Sequence, residues 1–280
     1  MIDCHSHLTD NVFDDNIENI LNEAHHAGIS DVICVSTSMD DIQAVMKICS
    51  QSAESTSNNN IHCGLGIHPE YADIAQTSEA MEYIQQNSAN VVCVGEVGLD
   101  FRPHIIGKSG TPGCEEAKEI QREVFRIQIQ KAIELDLPLN VHSCAAGHHA
   151  IALLQELGAT KVVMHAFDGK AHYAEAASQQ SGFYFSVPPC VVRSPQLQKM
   201  VRRLPLDSLL LESDSPALPP VQGDINTPAN IVVSCEQIAA LKNIPIEEVA
   251  TITYQNSLRL FNKIPSNSIQ ETINGCASCT

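Results

Sequence analysis

The chain has 280 residues, 44% of them hydrophobic, and a formal net charge of −17 at neutral pH. This length and apolar content suit one large domain, and no run approaches the roughly 20 apolar residues that a membrane-spanning helix needs. The acidic composition excludes a protein that binds nucleic acid through a broadly basic surface, unless bound cations supply positive charge locally.

The sequence opens without a basic segment followed by an apolar run, so no signal peptide is evident. We therefore expect an intracellular protein, cytoplasmic or nuclear, with no membrane association and no obligate protein partner. The eleven cysteines are odd in number and scattered, and several lie inside apolar runs. That pattern indicates reduced, buried thiols rather than disulfides.

Eight short apolar runs alternate with segments of helical periodicity, at residues 1–4, 32–35, 62–66, 91–94, 139–141, 161–164, 183–186 and 208–211. The clearest helical segments are residues 16–27 and 121–135. Strands that alternate with helices predict parallel strands joined by right-handed crossovers. We predict an α/β fold, a single TIM-like (β/α)8 barrel over residues 1–264. An open doubly wound sheet is the alternative, but the sequence has no glycine-rich nucleotide loop.

Two segments interrupt this alternation. Residues 101–115 contain three glycines and two prolines after the fourth strand, which predicts a long loop of functional importance. Residues 265–280 are rich in Ser, Asn and Thr and are predicted to form a polar, flexible tail.

Residues of metal-ligand type follow the predicted strands. The carboxyl ends of barrel strands converge on one face, where barrel active sites lie. A His-x-His pair on one strand projects both imidazoles to the same side. The candidates are His5, His7, His68, Glu96, His142, His165 and Asp214. Four histidines and two carboxylates can hold two divalent ions, with a carboxylate between them.

Each candidate alone has a structural explanation, since a single histidine at a strand end is usually hydrogen-bonded in the core. So many ligand types at successive strand ends favour a metal centre. His68 could instead cap a loop, or position a substrate. Glu212 has the same strand parity as Asp214 and is as much a structural acid as a catalytic one.

The motifs resemble those of the TatD-type metal-dependent deoxyribonucleases, and within them the branch of TatD domain-containing protein 3. The resemblance runs from residue 1 to about residue 263. Its marks include Asp3-Cys4-His5-Ser6-His7, Gly66-Ile67-His68-Pro69, Gly95-Glu96-Val97-Gly98-Leu99-Asp100, Asn140-Val141-His142-Ser143, His165-Ala166-Phe167-Asp168-Gly169 and Leu211-Glu212-Ser213-Asp214-Ser215-Pro216.

The resemblance implies a barrel hydrolase of DNA phosphodiesters with two divalent metal ions (Mg, Mn or Zn). It implies that His5, His7 and Asp214 hold one metal, that His142 and His165 hold the other, and that Glu96 is shared. Asp214, Glu96 and His68 are the expected catalytic residues: Asp214 accepts a proton from the attacking water, and His68 orients the phosphate.

The chain departs from the family at two positions where an arginine is usual, Cys144 and Ile225. A guanidinium fork that binds phosphate is not replaced by a thiol or an alkyl group. The remaining candidates for contact with the substrate are His68, Arg193, Arg102 and Lys108.

Two other functions fit parts of the pattern. Amidohydrolase-like enzymes that cleave a small ester, lactone or amide also begin with His-x-His, but many bridge their metals with a carboxylated lysine at the fourth strand. Here that strand ends with Glu96. The other alternative is a non-catalytic barrel that only binds; against it, buried charges are costly to keep without a metal.

Overall fold

The computed structural model describes residues 1–14, 16–54, 60–107 and 112–266. Eight strands form one parallel sheet in sequential order. They are β1 (Ile2–Ser6), β2 (Asp31–Val35), β3 (Asn60–Leu65), β4 (Val91–Gly98), β5 (Leu139–His142), β6 (Val162–Met164), β7 (Tyr184–Val187) and β8 (Leu209–Leu211). Backbone bonds from His7 N to Ser215 O (2.8 Å) and from Asp214 N to His5 O (2.9 Å) join the two edges. The predicted (β/α)8 barrel is confirmed.

Within the described residues, ten α-helices surround the strands. They are α1 (Ile17–His26), α2 (Met39–Glu54), α3 (Ile74–Gln86), α4 (Pro103–Ile106), α5 (Pro112–Glu134), α6 (Gly147–Glu156), α7 (Ala171–Ser181), α8 (Pro195–Arg203), α9 (Ile231–Lys242) and α10 (Ile246–Leu260). No helix in this part of the chain is long and apolar enough to cross a membrane.

The core has two layers. The larger cluster lies between the strands and the helices and includes Val32, Leu65, Phe125 and Met164. The smaller cluster draws on β1, β2, β4, β6 and β8 and fills the barrel interior; its members include Ile2, Cys4, Ile33, Val35, Val92, Val163, Leu210 and Phe261. Phe261, which follows α10, belongs to this interior cluster, and Lys263 donates to Val91 O at the start of β4. The end of α10 therefore closes the lower opening of the barrel, at the amino ends of the strands. In the described part of the chain, the interior is therefore packed below and opens at the carboxyl ends of the strands.

The prediction of a long irregular loop at residues 101–115 is wrong for most of its length. A short helix begins at Pro103, and α5 begins at Pro112 rather than near residue 121. Proline was read as a loop signal, but it is well tolerated at the first position of a helix because its missing N–H has no helical partner there. Lys108 and most of the predicted tail, residues 267–280, lie outside the described residues, so the boundary of the tail stays a prediction.

Irregular hydrogen-bond register in two strands positions side chains of the candidate site. The register shifts between Asp3 and Ser6 in β1, and again between Val94 and Val97 in β4. Such irregularities re-aim a side chain relative to the regular alternation of a strand. His5 lies within the first and Glu96 within the second, and both side chains point into the open end of the barrel.

Candidate metal centre

The six predicted ligands meet at the carboxyl end of the barrel. Glu96 and Asp214 are 3% and 8% exposed, so the carboxylates are almost entirely removed from solvent. The side-chain nitrogen and oxygen atoms of the predicted ligands fall into overlapping groups of three. Within each group, the three atoms lie within 4.8 Å of one another. These groups combine His5, His7, Glu96, His142, His165 and Asp214, and one further group adds His68 and Asp100.

One side of the cluster is formed by β1 and the turn after β8. His5 Nε2 lies 3.2 Å from His7 Nε2, and each of these nitrogens lies 3.4 Å from Asp214 Oδ1. Glu96 Oε2 is 3.5 Å from His7 Nε2 and 3.8 Å from His5 Nε2. Two imidazoles and one oxygen of each carboxylate therefore surround one point.

The other side is formed by β4, β5 and the residue after β6. Glu96 Oε1 lies 2.8 Å from His142 Nδ1 and 2.9 Å from His165 Nε2, and these two nitrogens are 3.3 Å apart. The two oxygens of Glu96 thus face different histidine pairs. This is the arrangement expected of a carboxylate shared by two metals.

Hydrogen bonds fix which nitrogen of His5 faces the cluster. Asn140 Nδ2 donates to Cys4 O (2.8 Å), so Asn140 Oδ1 faces His5 and accepts from its Nδ1 (2.9 Å). Burial, together with the nearby charge on His165, lowers the pKa of His5 to about 3. His5 is therefore neutral near pH 7, and the lone pair of its Nε2 points at the carboxylates.

The outer nitrogens of His142 and His165 contact buried acids. His142 Nε2 donates to Asp100 Oδ2 (3.1 Å), and His165 Nδ1 lies 3.5 Å from Glu212 Oε2. Glu212 also accepts from Ala166 N (2.8 Å) and from Ser186 Oγ (2.5 Å). Carboxylates that bind the far nitrogen of a metal-ligating histidine fix the orientation of its ring and raise its basicity.

Electrostatics in the cluster favour ionised carboxylates. Burial alone would raise the pKa of Glu96, but the surrounding histidines, His68 and His165 first, hold it well below its usual range. Burial likewise opposes ionisation of Asp214, but its hydrogen bond with His7 and the charges of the nearby histidines together outweigh burial, so its pKa is lowered. The pKa of His142 is raised well above its usual value, because hydrogen bonds to Asp100 and its other neighbours outweigh burial. Cations that bind here compete with protons for the same nitrogens.

These residues fit divalent metal ions. With Nδ1 of His5 acting as a donor, its inner nitrogen Nε2 is an acceptor that faces carboxylate oxygens, also acceptors. Such a buried assembly is unfavourable unless protons or cations lie between the acceptors. The mixed imidazole and carboxylate set suits zinc or manganese, and magnesium to a lesser extent.

His68 caps a loop, which is one of the two functions that the sequence left open, and it also lines the cavity. Its Nδ1 accepts from Glu70 N (3.1 Å), which caps the turn that begins at Pro69. Burial lowers the pKa of His68 to about 4, so the ring is neutral and its proton is on Nε2. That nitrogen lies 4.0 Å from Glu96 Oε1, at the wall of the cavity.

A cavity of about 750 Å³ opens above the cluster, a volume typical of substrate sites. Its walls are acidic: the described lining includes six carboxylates, of Asp10, Asp41, Glu70, Glu96, Asp168 and Asp214. Arg102 is the only Lys or Arg among these lining residues. A phosphate would meet a repulsive field in this cavity unless bound cations reversed it.

The two predicted arginine contacts differ in position. Arg102 lines the cavity, but its Nε and Nη2 donate to Asp100, on the far side of His142. Its side chain is 41% exposed, so it remains accessible to a ligand. Arg193 does not line the cavity; its guanidinium donates to Pro219 O (3.1 Å).

The positions of the missing family arginines also differ. Cys144 lines the cavity, whereas Ile225 is 57% exposed and does not line it. Asn226, beside Ile225, is buried and donates to Ser213 O (2.6 Å) and Ala217 O (2.8 Å). Its amide therefore holds the turn that carries Asp214.

Two glycines explain the local sequence around Glu96. A Cβ on Gly95 would lie 2.6 Å from Asn140 Cβ, and a Cβ on Gly98 would lie 2.0 Å from His142 O. Gly98 also has φ of 147°, a conformation that other residues rarely adopt. Glycine at both positions allows β4 to approach β5 closely enough for Glu96 to contact His142.

Sequence reasoning missed the residues that orient the ligands. Asp100, Asn140 and Asp3 are fully buried and were assigned no role. Asp3 accepts from Ser213 N (2.8 Å) and Oγ (2.6 Å), beside Asp214, whose φ is 55°. Strand alternation could have identified two of these residues, because residues two apart on a strand point to the same face. Asn140 precedes His142 by two residues, and Asp3 precedes His5 by two. The partners themselves lie 42 to 210 positions away.

Known proteins resemble this chain over nearly its whole length. The family model described as TatD related DNase matches residues 2–262. The chain is similar to Deoxyribonuclease TATDN3 from Homo sapiens, with 39% identity over 94% of this chain and 95% of the human protein. It is also similar to a Bacillus subtilis protein named Uncharacterized metal-dependent hydrolase YabD, with 32% identity over 93% and 98% of the two chains.

Among solved structures, the crystal structure of YJJV, a TatD homologue from Escherichia coli K12, covers 95% of this chain and 98% of its own, with 27% identity and a TM-score of 0.82. Fold and sequence thus agree over nearly the whole length of the chain. The chain belongs to the TatD-related DNase family.

Proposed function

We propose that the chain hydrolyses phosphodiester bonds of DNA at a centre that holds two divalent metals. Membership in the family makes it a metal-dependent hydrolase of phosphodiesters. The proposal of two metals rests on the two carboxylate oxygens of Glu96. One oxygen faces His5 and His7, and the other faces His142 and His165.

In this proposal His5, His7 and Asp214 would hold one metal, His142 and His165 would hold the other, and Glu96 would serve both. Divalent cations bound there would lower the pKa of a water molecule and offset charge on a phosphoryl oxygen. The protein supplies the fixed positions of these ligands, because Asn140 and Asp100 hydrogen-bond the outer nitrogens of His5 and His142, and Glu212 lies 3.5 Å from the outer nitrogen of His165.

Two residues act on the substrate directly. Asp214 keeps a lowered pKa and lies at the edge of the cavity, so it is ionised near pH 7 and can accept a proton from water. His68 presents a neutral ring with its proton on Nε2 toward the cavity, so it can donate to a phosphate oxygen. Arg102 extends the same wall.

The test is hydrolysis of single-stranded DNA and of a mononucleotide diester by the purified protein, with Mg²⁺, Mn²⁺ and Zn²⁺ compared. We expect metal-dependent cleavage that Glu96→Gln and Asp214→Asn abolish while the circular dichroism spectrum stays unchanged. The matched control is Asp207→Asn, a surface change outside the cavity. Metal-dependent cleavage retained in both site variants would refute the assignment.

The same assay separates the amidohydrolase alternative. A lactone or amide hydrolysed in preference to the diester would favour that alternative. In the part of the chain that the structure describes, no lysine lines the cavity, so the usual lysine bridge of that group has no counterpart here.

A further inference from the structure

Five rings form a continuous row beside the cavity, which we name the ring platform. Centroid distances along the row are 5.4 Å, 3.9 Å, 5.4 Å and 4.1 Å. The members in order are Phe101, His149, His148, Tyr173 and His172. Four of the five are exposed, and Phe101 is half-buried. Nothing in the metal centre requires such a row.

The ring platform lies on the same face as the metal centre. His148 and His149 are in the first turn of α6, and His172 and Tyr173 are in the first turn of α7. Each of these helices follows a strand, so its first turn lies at the carboxyl end of the barrel. Phe101 N donates to Cys144 O (3.0 Å), and Cys144 lines the cavity. The row therefore begins at the cavity wall and runs outward.

Positive charge lies at the inner end of the row. Lys118 Nζ is 5.6 Å and Arg122 Cζ is 5.4 Å from the centroid of Phe101. Both cations pair with exposed glutamates of α5, Glu115 and Glu119. Exposed pairs of this kind contribute little, so a phosphate group can replace the glutamates as partner.

His149 contributes an uncharged ring to the ring platform. Burial, and then the neighbouring His148, lower the pKa of His149, so this ring is neutral near pH 7. Tyr173 is 36% exposed although it stacks on His148 at an interplanar angle of 21°. Exposed aromatic faces beside cations are the combination with which proteins bind single strands, because bases stack on the rings and phosphates contact the cations.

We propose that the ring platform binds unpaired bases of single-stranded DNA on one side of the bond held at the metal centre. The inference rests on the proposed function, because the cavity supplies the point from which the strand extends. The row spans several nucleotides, so it would favour long strands over short ones.

The test compares two double variants. His148→Ala with Tyr173→Ala removes the two central rings, whereas His148→Phe with Tyr173→Phe keeps rings at both positions. The matched control is His25→Ala with His26→Ala, because these two exposed imidazoles also contact each other but lie at the end of α1, on the opposite face of the barrel. kcat and KM are measured for a strand of about 12 nucleotides, within the span of known single-strand sites, and for a dinucleotide.

We expect the alanine pair to raise KM for the long strand, by about tenfold for each ring lost, while kcat changes little. The kcat/KM for the long strand divided by the kcat/KM for the dinucleotide should therefore fall. The phenylalanine pair and the control should keep the wild-type ratio. A merely structural contribution of the rings would instead lower kcat for both substrates.

The outcomes separate the two proposals. If the protein cleaves neither substrate, the proposed function fails and this inference fails with it. If it cleaves both, but the wild type has no preference for the long strand or the alanine pair keeps that preference, the ring platform is refuted while the proposed function stands.

Discussion

Replacement of Asp100 by asparagine tests how the protein positions a metal ligand. Asp100 is fully buried and accepts from His142 Nε2 (3.1 Å), from Arg102 Nε (2.8 Å) and from Arg102 N (3.0 Å). Every one of these partners is a donor. An asparagine at this position would keep the shape but introduce an NH₂ group, so in either amide orientation one donor would face another.

The magnitude follows from this contact. Removal of a carboxylate behind a metal-ligating histidine lowers metal affinity or activity by about 10- to 100-fold, or roughly 1.4–2.8 kcal/mol. We expect Asp100→Asn to fall in this range, since His142 loses the negative charge that raises its basicity, and one of the contacts that orient it becomes donor against donor.

The assay is calorimetric titration of the metal-free protein with Mn²⁺ and Zn²⁺, with turnover measured across the same concentrations. Asp168→Asn is the control, because Asp168 also lines the cavity and loses the same charge, yet its contact is with Ala145 N (3.1 Å) rather than with a histidine. If Asp100→Asn bound metal as tightly as Asp168→Asn, cavity charge rather than orientation of His142 would explain any effect.

Three further predictions follow from contacts in the structure. Gly98→Ala should lower the free energy of unfolding by at least about 1–3 kcal/mol and reduce metal affinity, measured by thermal melts and titration, because Gly98 has φ of 147° and touches β5; an unchanged melting temperature would contradict this. Metal at about 100 times its Kd should raise the melting temperature by roughly 5–10 °C relative to protein in chelator, and no shift would argue against binding in the folded state. Asp31 has a lowered pKa, because hydrogen bonds from His62 and other neighbours outweigh burial. The stabilising effect of the Asp31 carboxylate is therefore complete above its usual pKa of 3.8 and disappears as pH falls below that value. In urea titrations, the difference in the free energy of unfolding between wild type and Asp31→Asn should shrink over that range.

The sequence was sufficient for the barrel because its signals are local. Eight apolar runs separated by helical segments define eight crossovers, and the ligand-type residues fall where those runs end. Strand ends in a parallel barrel must converge, so His5 and His165 could be placed together although 160 positions separate them. Errors arose where one residue type serves two purposes, as with Pro112, which begins α5.

Orientation of the ligands could not be read in the same way. Asn140 holds His5 through an amide that is fixed at its other end by Cys4 O, and that geometry exists only after β1 and β5 have assembled. Arg102 was predicted to contact phosphate from its charge alone. In the structure its Nε and Nη2 bind Asp100, so its contribution to the site passes at least partly through His142.

The net charge of the protein has to be interpreted together with the charge of the cavity walls. A net charge of −17 predicts repulsion of DNA, and the cavity walls add to it, with one arginine against six carboxylates in the described lining. Two divalent ions would contribute four positive charges at the floor, within a few ångströms of the phosphate and shielded from water, where charge interactions are strongest. Distant surface charges are screened over about 10 Å at moderate salt, so they weaken approach more than binding at the centre. An acidic surface is therefore compatible with a phosphodiester substrate when cations bound at the centre supply attraction where the phosphate lies.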